Sequence, residues 1–192
     1  MKFARGSLVA LGQESSRRIV IFFAHPDFDR SHTNRALRDA VSDLSFVTFN
    51  DLYETYPDLL IDVKKEQALA LSADLLVFQH PFFWYSSPAI IKQWYDMVLE
   101  RGWAYGNGGT ALRGKDMMLA VTTGGPEDSY RPDGYNRFTM EQLVAPQNQT
   151  AHLCGMQFLK PFIAHGASAV DPRAAATEAE RFRRLLTDYA SR

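Results

Sequence analysis

The chain has 192 residues, 46% of them apolar and 22% charged, with 21 Lys and Arg set against 22 Asp and Glu. That length suits one compact domain that buries roughly 70% of its unfolded surface, and the composition excludes a disordered or fibrous chain. A formal net charge of −1 gives no electrostatic footing for nucleic acid or an anionic membrane surface, so small-molecule chemistry is the expectation.

Residues 1–17 include Lys2 and Arg5, but the apolar patch at 8–11 is too short for a signal-peptide core. The segment reads as a flexible N-terminal extension to a single domain over 18–192. Residues 18–24 are a continuous run rich in Ile, Val and Phe, the pattern of a strand covered on both faces. Helical spacing of Leu37, Ala40, Val41 and Leu44 predicts a helix over 34–44, with Ser31 or Thr33 as its N-cap. There follow a second strand at 46–52, a helix at 64–72, a third strand at 74–79, a helix at 89–99 begun by Pro88, and a fourth strand at 116–123. A helix at 140–155 contains Pro146, a fifth strand occupies 156–165, and the stripe Phe182, Leu185, Leu186, Tyr189 marks a terminal helix at 174–189. Alternation of this kind predicts an α/β fold with a five-stranded parallel sheet between two helical layers. No run approaches the roughly 20 apolar residues of a membrane helix. The one cysteine, Cys154, cannot form an intrachain disulfide and reads as a buried, inert thiol, which fits a reducing compartment.

In open α/β sheets ligands bind beyond the carboxyl ends of the strands, which directs attention to three loops. The first, residues 25–34, leads from a strand into a helix N-terminus. Its free backbone N–H groups and the hydroxyls of Ser31 and Thr33 suit a phosphate, although the same hydroxyls would serve as plain N-caps. The second places Phe82, Phe83, Trp84 and Tyr85 in succession at the end of a buried strand. Core packing explains one or two of them, whereas a planar aromatic ligand would use the whole ribbon. The third, Thr122-Thr123-Gly124-Gly125, lets a backbone approach a ligand without Cβ obstruction, or is simply a glycine turn. Residues 109–115 spell G-x-x-x-x-G-K but precede a strand, and Asp116 stands where a P-loop has Ser or Thr. No G-x-G-x-x-G follows the first strand and no G-x-S-x-G occurs. The five histidines lack metal-ligand spacing, so no metal is expected.

With these loops in hand, the chain resembles the flavodoxin-like NAD(P)H:quinone oxidoreductases, and among them the ancillary oxidoreductase subunits of glutathione-gated potassium-efflux antiporters. The likeness covers about residues 18–190. It is carried by Ala24-His25-Pro26, Ser31-His32-Thr33-Asn34, Leu52-Tyr53 with Tyr56-Pro57-Asp58 and Ile61-Asp62, His80-Pro81, Trp84-Tyr85, Gly102-Trp103-Ala104-Tyr105 and Thr122-Thr123-Gly124-Gly125. The resemblance implies a three-layer flavodoxin-like sandwich with strand order 2-1-3-4-5, bound FMN or alternatively FAD, NAD(P)H as co-substrate and a quinone as acceptor. It also implies a homodimer with active sites at the subunit interface and a cytoplasmic location, with peripheral attachment to the inner membrane where an antiporter is the partner. On this resemblance His25, Ser31, His32, Thr33 and Asn34 would hold the flavin phosphate. Phe82, Phe83, Trp84 and Tyr85 would line the isoalloxazine, and Thr122, Thr123, Gly124 and Gly125 would meet its pyrimidine edge. Tyr105 matches a residue that reaches the site from the partner subunit, and Tyr130 matches an active-site tyrosine. Relatives in the family carry a histidine six residues after that tyrosine. Asn136 stands there instead, and an amide neither gives nor takes a net proton.

Overall fold

The computed structural model describes residues 16–167 and 171–192. All five residues of β1 (Ile19–Phe23) are buried, because the strand lies inside the sheet with helices on both faces. It pairs in parallel with β2 (Val47–Asp51) on one side and β3 (Leu75–Pro81) on the other. β4 (Asp116–Thr122) continues beyond β3, followed by β5 (Gln157–Phe158), which gives the expected order β2-β1-β3-β4-β5. Phe23 lies opposite Gln79, and Pro81 opposite Thr122. The loops leaving β1, β3 and β4 therefore start from one edge of the sheet.

Side-chain alternation divides the core in two. Ile19, Ile21 and Phe23 face α1 (His32–Asp39) and α7 (Pro172–Ala190), which contribute Leu37, Phe182 and Leu186. Val20 and Phe22 face the other layer, where Trp94 of α4 (Ala89–Val98) packs. The Phe22 ring stacks 5.2 Å from Phe78 and lies 4.8 Å from Trp94. Truncating such a buried aromatic to alanine costs about 3–5 kcal/mol.

In that second layer α3 (Val63–Ser72) carries Glu66, whose side chain is wholly buried. Its carboxylate accepts from the Tyr56 hydroxyl (2.7 Å), Trp94 Nε1–H (2.8 Å) and the Asn50 amide (3.0 Å). A carboxylate in this position is tolerable only because each oxygen is hydrogen-bonded. The cluster fastens the connection after β2, including the short α2 (Leu52–Thr55), to α4.

Three elements differ from expectation in number or extent. The run at 156–165 is two strands, β5 and then β6 (Phe162–Ala164), pairing respectively with the start and the end of β4. They are separated by Leu159-Lys160-Pro161, where proline has no N–H for the ladder. The sheet therefore has six strands, not five. The helix expected at 140–155 is also two pieces, α5 (Met140–Leu143) and α6 (Ala145–Leu153). Pro146 falls in the first turn of α6, where its missing N–H is harmless, instead of in a helix interior where it would clash. The helix expected at 34–44 starts earlier and stops at Asp39, with Ser31 as its N-cap. Of the extension expected at 1–17, residues 1–15 lie outside the described residues. Arg17 is tied to the fold, its N–H donating to the Ala190 carbonyl (3.2 Å) and its guanidinium lying 5.3 Å from the Tyr189 ring centroid. Among the described residues no helix is long and apolar enough to cross a membrane.

Candidate active site

The loop after β1 builds one end of a trough. The Asp27 N–H donates to His25 Nδ1 (3.1 Å), so the neutral ring carries its proton on Nε2. Burial lowers the His25 pKa against the opposing pull of Asp27, which keeps the ring neutral at pH 7. The chain then makes a single 3₁₀ turn, Phe28–Arg30, and enters α1. Ser31 Oγ accepts from the Asn34 N–H at 3.3 Å, while the N–H groups of His32 and Thr33 have no carbonyl a turn earlier and stay available. His25, Arg30, Ser31, His32, Thr122 and Gly124 line a cavity of about 400 Å³ at this point. Two expected ligands sit behind it. Thr33 is buried, and Asn34, only 1% exposed, spends its amide on Ser31 Oγ (3.1 Å) and Thr122 Oγ1 (2.9 Å).

The loop after β3 forms the opposite end. Phe82 N–H donates to the Thr122 carbonyl (2.8 Å), and Phe83 and Ser86 exchange both backbone hydrogen bonds (3.1 and 2.9 Å). They enclose Trp84 and Tyr85, with φ of 51° and 59°. Two such residues in succession make a type I′ turn, which ordinarily uses Asn and Gly, and left-handed backbone costs about 1–2 kcal/mol for each residue with a Cβ. No packing offsets that cost at Trp84, whose surface is 94% exposed. Strain held without a packing return is characteristic of ligand-binding turns.

The loop after β4 closes the trough. Thr123 Oγ1 donates to the Gly125 carbonyl (2.9 Å), and Gly166 N–H donates to the same carbonyl (3.0 Å). A Cβ at Gly125 would lie 3.6 Å from both Ser129 Oγ and Tyr130 Cε2, so bare backbone keeps the slot beside Tyr130 open. Gly124, Gly125, Trp84, Tyr85, Tyr130 and Asn136 surround a second cavity of about 320 Å³, which shares Phe82 and Gly124 with the first. One end of the combined trough offers N–H groups and the other aromatic rings, a donor set that matches a phosphate joined to a planar heterocycle.

Tyr130 ends the 3₁₀ turn Glu127–Ser129, with its ring edge-on to Phe82 at 6.3 Å. Tyr85 Oη donates to Asn136 Oδ1 (3.2 Å), linking the aromatic turn to the segment that follows Tyr130. Tyr105 is not brought to the trough. It lines a different cleft, of about 450 Å³, with Tyr85 and Cys154. Two further histidines lie outside the expected site residues. His80 is buried with Nδ1 2.9 Å from the Pro81 carbonyl, and burial pushes its pKa down to about 4. It is a neutral packing residue. His165 follows β6 with Nδ1 2.9 Å from Thr123 Oγ1 and its ring 5.4 Å from Tyr130. Its signal in the sequence is its place at the carboxyl end of the strand expected at 156–165. Among the described residues no group of three or more His, Cys, Asp or Glu is placed to hold a metal.

Comparison with known proteins agrees with the fold. The family described as having a flavodoxin-like fold matches residues 17–186. The glutathione-regulated potassium-efflux system ancillary protein KefG of Pectobacterium carotovorum is 44% identical over 165 residues, covering 86% of this chain and 90% of that one. The structure of general stress protein 14 from Treponema denticola in complex with FMN is 35% identical with a TM-score of 0.85, covering 90% and 99%. An NADPH-quinone reductase from P. pentosaceus is 29% identical with a TM-score of 0.78, covering 90% and 97%. The order of the sheet, the three loops at its carboxyl edge and these matches agree, and the chain belongs to the flavodoxin-like NAD(P)H quinone reductase family.

Proposed function

We propose that the protein is a flavin-dependent NAD(P)H:quinone oxidoreductase that holds FMN in the trough and receives NAD(P)H and then a quinone-like acceptor over the same ring, in ping-pong order. The observation that carries this reading is the strained, exposed Trp84–Tyr85 turn, which shares a cavity with the bare backbone of Gly124 and Gly125. FMN is favoured over FAD because a relative of 35% identity has been solved with FMN.

The N–H groups of His32 and Thr33, the Nε2–H of His25 and the Arg30 guanidinium would hold the phosphate, assisted by the dipole of α1. Phe82, Trp84 and Tyr85 would bury the ring faces. The 124–125 backbone would put N–H donors against the pyrimidine edge, a preorganised stabilisation of negative charge there. When bound, the flavin supplies the acceptor and donor of hydride. Tyr130 and Asn136 would orient the acceptor, and Asn136 does so without moving a proton. Exposed Tyr135 and Phe138 near this mouth, together with the cleft at Tyr105, support a homodimer in which each subunit's Tyr105 serves the other's site. A cytoplasmic location follows from the use of NAD(P)H.

Titration of the purified protein with FMN, followed by anaerobic addition of NADPH and NADH, tests the proposal. Bleaching of the bound flavin within seconds is expected. A protein that takes up no flavin, or stays yellow with both nucleotides, would refute it.

A second reading rests on the 44% identity to KefG and on Leu59 and Leu60, both exposed in the 53–62 connection. On that reading the protein docks on a potassium-efflux antiporter and the flavin is mainly structural or sensory. Retention of the antiporter with the tagged protein supports it, and a genome with no such transporter sinks it.

A further inference from the structure

Tyr130 lines both the trough and a polar cleft of about 490 Å³ that contains His165. The two hydrogen bonds around Thr123 determine how that histidine is protonated. A threonine hydroxyl has one hydrogen, and Thr123 gives it to the Gly125 carbonyl at 2.9 Å. His165 Nδ1 lies 2.9 Å from Thr123 Oγ1 itself, so both contacts of that hydroxyl are attractive only when Nδ1–H is the donor. The neutral ring then has its lone pair on Nε2, and it is there that a proton adds.

The neighbouring backbone strengthens the connection. Thr123 N–H donates to the Ala164 carbonyl (2.9 Å), Ala167 N–H to the Thr123 carbonyl (2.8 Å) and Gly166 N–H to the Gly125 carbonyl (3.0 Å). The segment around His165 is thus clamped to the loop that meets the pyrimidine edge. The charged groups on the same cleft are Glu127 from the turn before Tyr130, Glu141 from α5, Lys160 from the link before β6, and Glu178 and Arg181 from α7. Arg181 is already paired with Glu178 and with the Ile163 carbonyl. Glu127 and Glu178 favour a charged imidazole, while burial and Arg181 disfavour it and hold it below its ordinary range.

We propose that His165 is a positioning residue that couples proton uptake to the charge of the flavin edge: Nδ1–H fixes the Thr123–Gly125 loop, and Nε2 accepts a proton beside Tyr130 when the ring becomes negative. The inference rests on the flavin reading above. Hydride brings two electrons and one proton to the ring, leaving one net negative charge. The compensating proton comes from solvent through the cleft and stays on Nε2, so no bond to the ring is made or broken by His165. Asn136 cannot fill this role because its amide does not titrate.

Two variants of the holoprotein separate positioning from titration. His165→Asn keeps an N–H donor near the Nδ1 position and loses the titrating nitrogen, while His165→Phe loses both. Midpoint potential and FMN affinity are measured between about pH 5 and 8, the window of an accessible histidine. In the wild type the potential should fall with an extra half proton per electron over part of that window. His165→Asn should bind FMN within about threefold of wild type but lose the extra slope, and His165→Phe should bind FMN about tenfold more weakly. Superimposable potential curves for wild type and His165→Asn, with FMN bound, would overturn this inference alone. Absence of FMN binding in the wild type would overturn it together with the flavin reading.

Discussion

Asn34 at the start of α1 donates from Nδ2 to Oγ1 of Thr122 at the end of β4, over 2.9 Å and out of contact with solvent. The same nitrogen reaches Ser31 Oγ at 3.1 Å. One amide therefore sets the spacing between the loop after β1 and the glycine loop. Asn34→Ala should destabilise the fold by about 1–3 kcal/mol, since the lost donor leaves buried partners unpaired. It should also weaken FMN binding, although the side chain faces away from the cavity. Urea unfolding and FMN titration of the variant measure the two effects, and wild-type FMN affinity in Asn34→Ala would show that the spacing does not matter.

Trp84 presents the opposite balance, with strain in the backbone and almost nothing gained from packing. Replacing it by asparagine, which tolerates the left-handed region, should stabilise the flavin-free protein by about 0.5–1 kcal/mol. For a chain of this size that is a rise of about 1–4 °C in Tm. The flavin should bind more weakly because an exposed ring surface has been removed. Thermal melts with and without FMN report both. A lower Tm for flavin-free Trp84→Asn would mean that the turn is not strained.

The layout of the sheet was legible because residues of β1, β3 and β4 buried on both faces read as unbroken apolar runs, and the loops at their carboxyl ends followed from that. The break at Leu159-Lys160-Pro161 was not, because apolar residues continue on either side and the split depends on one missing N–H. Glu66, flanked in the chain by Lys64, Lys65 and Gln67, looks like part of a solvated face. Its burial depends on donors from Asn50, Tyr56 and Trp94, which only the tertiary fold brings together. The aromatic ribbon was visible, but its left-handed turn was not, since Trp-Tyr carries none of the usual turn chemistry. Tyr130 and Asn136 entered through family resemblance, and it is the fold that places them beside Phe82 and Tyr85.

His80 makes stability depend on pH in a defined direction. Its folded pKa of about 4 lies below the roughly 6.5 of an exposed histidine, so between these values the unfolded chain binds more protons. Stability should be full above about pH 6.5 and decline as pH falls toward about 4, by as much as about 3 kcal/mol from this residue. The wild type should lose that amount relative to His80→Gln between neutral and acid pH, as read from denaturant midpoints. Parallel pH curves for the two proteins would exclude His80 as the source.

Tyr130 and Asn136 should separate chemistry from binding. Tyr130→Phe retains the ring that packs edge-on to Phe82 and beside His165 and removes only the hydroxyl. Flavin content should be unchanged while quinone reduction slows by about 10- to 100-fold, at or below the usual range for a lost proton-sharing group because no histidine follows it at 136. Asn136→Ala removes the acceptor of the Tyr85 hydroxyl and loosens the turn that lines the ring. It should therefore weaken FMN binding several-fold and, at saturating FMN, raise the KM for the quinone more than it lowers kcat. Flavin content by absorbance and steady-state turnover at saturating FMN distinguish the pair. If Tyr130→Phe turns over at the wild-type rate, the tyrosine is a packing residue and acceptor orientation must come from elsewhere in the trough.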